Sequence, residues 1–168
     1  MMQALRLAAR AREFEEFPIG CVVVNQNRII GKGFNQVKMS NDPTVHAEIL
    51  AIIDAAQTLK NWSLENCTLY VTLESCPMCA GAIVNSHISR VVFGISDELL
   101  GACGTQSDLL TNNVFNRSIE IEKGVLADEY LALMRVYFQE QSRCKKNEED
   151  NGYPSYAYFK KLFSTNEK

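Results

Sequence analysis

No apolar run in this chain approaches the roughly 18 residues that a membrane helix needs, which excludes a helical span of a bilayer. Tryptophan occurs once and proline four times in 168 residues. The segment from Met1 to Glu16 mixes Arg6, Arg10 and Arg12 with Glu13, Glu15 and Glu16. It has neither an unbroken apolar stretch nor a small-residue cleavage site, so a signal peptide is not expected and the cytoplasm is the expected compartment. Charge of one sign is also scarce. A net charge of −3 and a pI near 5.5 argue against broad, nonspecific nucleic-acid binding, while 17 Lys and Arg leave room for a local basic surface.

What is present is ordinary for a globular protein. The apolar fraction is 46% and the charged fraction 22%, which excludes disordered, collagenous and coiled-coil classes. A chain of this length buries about two-thirds of its unfolded surface and needs no disulfide to hold a core. The expected organisation is one domain over residues 1–144, followed by a tail over 145–168 that is charged first and aromatic later. In a reducing compartment, cysteines read as packed thiols or as metal ligands. Cys21, Cys67 and Cys144 read as packed thiols.

Hydrophobic spacing predicts an amphipathic helix over 4–14, ended by Pro18. A hairpin follows, with strands at 19–24 and 29–34 joined by the polar turn Asn25 to Arg28. Residues 35–42 read as a loop and Asp42-Pro43-Thr44 as a helix start. The helix from Ala47 to Leu59 has almost no polar face and is expected to be packed on both sides. A central strand over 67–73 precedes a helix that Ser75 would cap, beginning at Cys76 with Pro77 in its first turn. The next strand is 91–95. A strand, a helix and a strand in so short a span imply a right-handed crossover and a parallel pair. Residues 96–116 read as loop, 119–122 as an edge strand and 127–141 as a helix. The charged run through Arg143, Lys145 and Lys146 reads as a solvated helix end, and the tail from 153 to 163 carries five aromatics suited to docking as a last helix. The fold class is therefore α/β: a three-layer α/β/α sandwich around a mixed central sheet.

Cys76-Pro77-Met78-Cys79 follows a buried strand and opens a helix. Residues three apart share a helix face, and a helix N-terminus favours thiolate over thiol. His46-Ala47-Glu48 opens another apolar helix. One imidazole and two thiolates could hold a Zn²⁺ ion and leave a fourth position for water, with Glu48 moving protons. Three other readings compete. A thioredoxin-type redox site would need a further cis-proline opening a later strand, and Pro18, Pro43, Pro77 and Pro154 do not fit. A closed structural zinc site could recruit Cys103, whereas His87 would lie about 16 Å from Cys76 on a continuous helix. A satisfied core histidine is the bland alternative for His46 taken alone.

His-x-Glu paired with Cys-x-x-Cys is a signature of zinc deaminases. From Leu5 to Met134 the chain resembles the bacterial tRNA-specific adenosine deaminases (the TadA family), within the cytidine deaminase-like superfamily. The resemblance rests on Phe17-Pro18-Ile19-Gly20, on Asp42 through Glu48, on the run from Thr68 to Gly94, on Gly101-Ala102-Cys103-Gly104 with Asp108-Leu109-Leu110, and on Gly124 through Glu129. It implies His46, Cys76 and Cys79 as ligands of one Zn²⁺ per subunit and Glu48 as the proton shuttle. It further implies that Asn35 hydrogen-bonds the flipped base, that the Ala47 backbone lines the pocket and that Asp97 lies near the substrate backbone. The implied reaction is adenosine to inosine at the wobble position of a tRNA anticodon stem-loop, carried out by a homodimer with no membrane partner. Two positions depart from the family's pattern: Ser75 stands where a proline usually precedes the first cysteine, and Glu98-Leu99-Leu100 stands where a basic residue is common. A free guanine or cytosine deaminase and a catalytically silent tRNA-binding subunit are the alternatives.

Overall fold

The computed structural model describes residues 1–111, 119–143, 153 and 155–164. Five strands, β1 (Gly20–Asn25), β2 (Arg28–Phe34), β3 (Thr68–Leu73), β4 (Arg90–Ile95) and β5 (Glu120–Lys123), form one sheet in the order β2-β1-β3-β4-β5. β1 is antiparallel to both β2 and β3, whereas β3, β4 and β5 run parallel. The sheet is therefore mixed, as expected. The hairpin turn is tight because Gln26 and Asn27 both adopt positive φ, the geometry that matches strand twist in two-residue turns.

Among the described residues six helices flank the sheet: α1 (Met2–Glu13), α2 (Val37–Ser40), α3 (Ala47–Leu59), α4 (Pro77–Asn85), α5 (Ala127–Arg143) and α6 (Tyr156–Ser164). Two glycines show how the layers close. A Cβ on Gly20 would lie 2.1 Å from the Ala4 carbonyl oxygen of α1, and one on Gly33 would lie 2.1 Å from the Ala47 carbonyl oxygen of α3. Gly20 pairs with Phe34 and Cys21 with Gly33, so the two glycines face opposite sides of the sheet. α1 and α5 pack on one face, with α6 against α5; α3 and α4 pack together on the other. β3, α4 and β4 form the expected crossover. Phe17, Leu69, Val71, Ile83 and Phe93 are buried in the core between the layers.

Four local expectations are corrected. Residues 37–40 form the short helix α2 within the expected loop, where Glu16 accepts the Met39 N–H at 2.8 Å. Asp42-Pro43-Thr44 does not begin a helix. Asp42 instead accepts the Thr44 N–H and O–H at 2.8 and 2.7 Å, a local turn that competes with helical bonding. α4 begins at Pro77 with Cys76, not Ser75, as its N-cap. α3 packs on the sheet and against α4 but leaves an outer face uncovered within a single chain, where Ile53 is 48% exposed. The expectations for 112–116, Cys144 and 145–152 lie outside the described residues.

Gly33→Ala should destabilise the fold by about 2 kcal/mol or more, because the backbone of α3 cannot yield to an added methyl group. A shift of the urea midpoint smaller than that of an exposed Gly→Ala control would contradict this packing.

Candidate metal and proton-transfer site

The site is built where two helix N-termini converge on one face of the sheet. His46 is the N-cap of α3 and Glu48 lies in its first turn; Cys76 is the N-cap of α4 and Cys79 lies three residues on. Gly33 lets α3 approach β2 closely, and the short connection after β3 delivers Cys76 beside it. His46 Nδ1 is 3.7 Å from Cys76 Sγ and 3.5 Å from Cys79 Sγ. The three ligand atoms all lie within 4.8 Å of one another. A tetrahedral centre with Zn–N and Zn–S bonds of ordinary length has N···S edges of about 3.6 Å, so this donor set fits zinc without rearrangement. Two soft thiolates and an imidazole are also a donor set that zinc favours. Among the described residues no other group of this kind occurs.

The excluded alternatives now have physical reasons. The Cys103 thiol is turned toward the Ser75 carbonyl, 4.0 Å away, and does not join the three donors. His87 lies beyond the far end of α4, 3.0 Å from the Ser63 hydroxyl and edge-on to Trp62. Cys21 and Cys67 are buried free thiols, as expected of packed residues.

Electrostatics in the protein alone prepare the donors. Cys76 is held down to about 4, first by a hydrogen bond from Cys79 and further by the contact with His46, against the effect of burial. The same hydrogen bond, burial and the charges of Glu48 and Cys76 hold the Cys79 thiol up. Burial draws the His46 imidazole down, but its hydrogen bond with Cys76 and the charges of Glu48 and Cys76 outweigh this, leaving it above its ordinary value. A divalent cation would displace the remaining protons from these ligands. Glu48 is 3% exposed, and its carboxyl is pushed up by burial and then by the Cys76 charge. Its Oε2 has no hydrogen-bond partner among the described residues. A carboxyl whose proton affinity is raised in this way is suited to taking up a proton and passing it to a reacting atom.

The substrate-binding candidates are placed as follows. Asn35 directly follows β2, on the same side as Gly33, and is fully buried with both side-chain amide atoms unpartnered among the described residues. Ala47 is fully buried at the start of α3, between His46 and Glu48. Asp97 is also fully buried, and its oxygens accept the N–H groups of Leu99 and Leu100 and the hydroxyls of Tyr153 and Ser155.

Two neighbours of the site were not singled out from the sequence. Glu74, buried at the end of β3, accepts N–H bonds from Asp97, Cys103 and Thr105 and so organises the 97–105 loop. A charged residue between an apolar strand and the Cys-x-x-Cys was its signal. Tyr153 stacks on Phe17 at 4.5 Å between centroids, with its ring 6.0 Å from that of His46. Local sequence offers no signal for that contact, because it joins residues more than a hundred positions apart.

Comparison with known proteins agrees with this geometry. Residues 1–95 match the family model for the cytidine and deoxycytidylate deaminase zinc-binding region. The tRNA-specific adenosine deaminase of Haemophilus influenzae is 44% identical over 149 residues, covering 88% of this chain and 86% of the relative. That of Bacillus subtilis is 42% identical over 146 residues, covering 87% and 91%. A solved chain from a study of A-to-I editing by tRNA:A34 deaminases at the wobble position superposes with a TM-score of 0.74 at 35% identity, covering 79% of this chain and 96% of that one.

Cys79→Ser should purify with far less than stoichiometric zinc by elemental analysis and should melt at a lower temperature than the parent, since ligand binding is coupled to folding. Full metal occupancy in that variant would remove Cys79 from the donor set. Glu74→Gln should cost about 1–3 kcal/mol in chemical unfolding, because an amide NH₂ would face one of the N–H groups that the carboxylate now accepts.

Proposed function

This chain belongs to the tRNA-specific adenosine deaminases of the cytidine and deoxycytidylate deaminase family, and on that premise we propose how its residues carry the reaction. The reaction is hydrolytic deamination of adenosine to inosine at the wobble position of a tRNA anticodon. The observation that carries this reading is Glu48, buried with an unpartnered oxygen beside a His46, Cys76 and Cys79 triad of zinc-compatible dimensions.

His46, Cys76 and Cys79 would hold one Zn²⁺ per subunit, neutralising it with two thiolates, and the helix N-terminus that carries both cysteines favours their ionised form. Bound there, the ion supplies the Lewis acidity that makes water nucleophilic near neutral pH. Glu48 Oε2 takes a proton from the attacking water, delivers it to the adjacent purine ring nitrogen, and assists departure of the exocyclic amine as ammonia. The elevated proton affinity of Glu48 suits both directions of transfer. Asn35, with its amide donor and acceptor unpartnered, hydrogen-bonds the base edge, and the Ala47 backbone lines the floor. A flipped base from an anticodon loop is already unpaired, so its extrusion costs a few kcal/mol at most.

A tRNA substrate supports a cytoplasmic location; no helix among the described residues is long and apolar enough to cross a membrane. Two copies would pair through the outer face of α3 and α4. Ile53 and Met78 are 48% and 38% exposed there, on helices whose sequences are apolar on nearly every side.

Glu48→Ala should keep its zinc and lose turnover by about 10²–10⁴-fold when inosine is measured on an anticodon stem-loop. Parallel reactions with free adenine, guanine, cytosine and cytidine separate this reading from a free-base enzyme. Ammonia released from a free base but not from the stem-loop would overturn it. Ile53→Glu should shift the mass measured by light scattering from dimer to monomer; an unchanged dimer would place the interface elsewhere.

A further inference from the structure

We infer that Tyr153, Ser155 and α6 form a gate latched over the metal site by Asp97, and that this latch governs entry of a base attached to a polynucleotide. The inference rests on the deaminase reading given above. Asp97 is fully buried, yet two of the donors that it accepts come from residues 56 and 58 positions later in the chain. The Tyr153 hydroxyl donates to Oδ2 at 3.1 Å, and the Ser155 hydroxyl lies 2.8 Å from Oδ2 and 2.9 Å from Oδ1. Leu99 and Leu100 donate their N–H groups to Oδ1 at 3.0 and 3.1 Å, so the carboxylate is itself held fast by its own turn. A carboxylate has about four acceptor positions, and these donors account for them.

The latch holds an aromatic cover in place. Tyr153 lies nearly flat on Phe17, with an interplanar angle of 8°, and its other contacts include the His46 ring. Tyr156 and Phe159 continue the cover, each packing on Phe17, and Tyr156 also packs on Phe138 of α5. His46, Cys76, Glu48 and Asn35 are all buried, and the Tyr153 ring reaches the first of them at 6.0 Å. Polar groups of the site are left unsatisfied: both Asn35 amide atoms and Glu48 Oε2 lack partners among the described residues. Buried polar groups without partners are costly, and here they point to a polar ligand received into the pocket.

A free base could be enclosed in such a pocket entirely. A base carried by a ribose-phosphate chain cannot, because its backbone must leave the pocket on one side. Entry of an anticodon nucleotide therefore requires the Tyr153 and Ser155 hydrogen bonds to Asp97 to break. The fraction of molecules already unlatched then scales the apparent affinity for RNA. Neither hydroxyl reaches the reacting atoms, so both act as positioning groups for the gate and not as catalytic residues.

The test uses the zinc-loaded full chain with Tyr153→Phe, which keeps the ring and removes its hydroxyl, with Ser155→Ala, and with the double variant. Amide hydrogen exchange over residues 155–164 should accelerate in the double variant without RNA, and in the parent when an anticodon stem-loop is added. KM for stem-loop deamination should fall roughly three- to tenfold in the double variant, with kcat changed less than about twofold. An unmoved KM overturns the inference whatever the exchange shows, and so does unmoved exchange. A raised KM with slower turnover also overturns it, by making Tyr153 and Ser155 part of the substrate-binding wall. If neither parent nor variants form inosine on any stem-loop while exchange still accelerates, the assigned reaction has failed and the latch itself stands.

Discussion

Two thiolates and an imidazole can share one small cation only if their donor atoms are brought within a few ångströms in a dry place. Everything else in this structure serves that constraint. Left unpaired, three such groups would repel, protonate or demand solvent. The two helix N-termini that carry them offer partial positive charge to stabilise thiolate, and the sheet behind them excludes water. The cost of burying Glu48 beside that negative cluster appears as an elevated proton affinity. That is the property a proton shuttle requires, so the burial that is unfavourable for stability is useful for chemistry.

The scaffold meets the constraint through close backbone approach. At Gly33 there is no side chain between β2 and α3, which brings the start of α3 against the sheet. The parallel β3-α4-β4 crossover then carries Cys76 and Cys79 to the same edge. Glu74 ties the following loop to this frame by accepting three backbone N–H groups, and Gly101 is confined to a position where a Cβ would lie 2.4 Å from the Glu74 carboxylate. A loop of irregular backbone is thus as firmly placed as a strand, because its donors have a single buried acceptor.

Asp97 links this loop to the end of the chain. The resemblance to tRNA deaminases implied a residue near the substrate backbone, and in the structure its carboxylate holds Tyr153 and Ser155. The two roles are compatible if the segment and the substrate strand use the same acceptor in turn. The aromatic tail, legible in the sequence only as a docking face, is then part of how the pocket chooses what it admits.

The strands, the mixed sheet and the identity of the chemical groups were legible in the sequence. Period-two and period-3.6 patterns are local, and His46, Glu48, Cys76 and Cys79 announce themselves by spacing within single helical turns. Errors arose where side chains compete for backbone groups over short distances, as at Asp42 with Thr44, at α2 and at the cap of α4. Helix ends are decided there by small differences in hydrogen bonding. The partnering of Glu74 with the 97–105 loop, the latch at Asp97 and the stacking of Tyr153 on Phe17 were decided only by the tertiary structure. Each joins residues far apart in the chain, and no local periodicity records which distant surfaces the folded sheet will bring into contact.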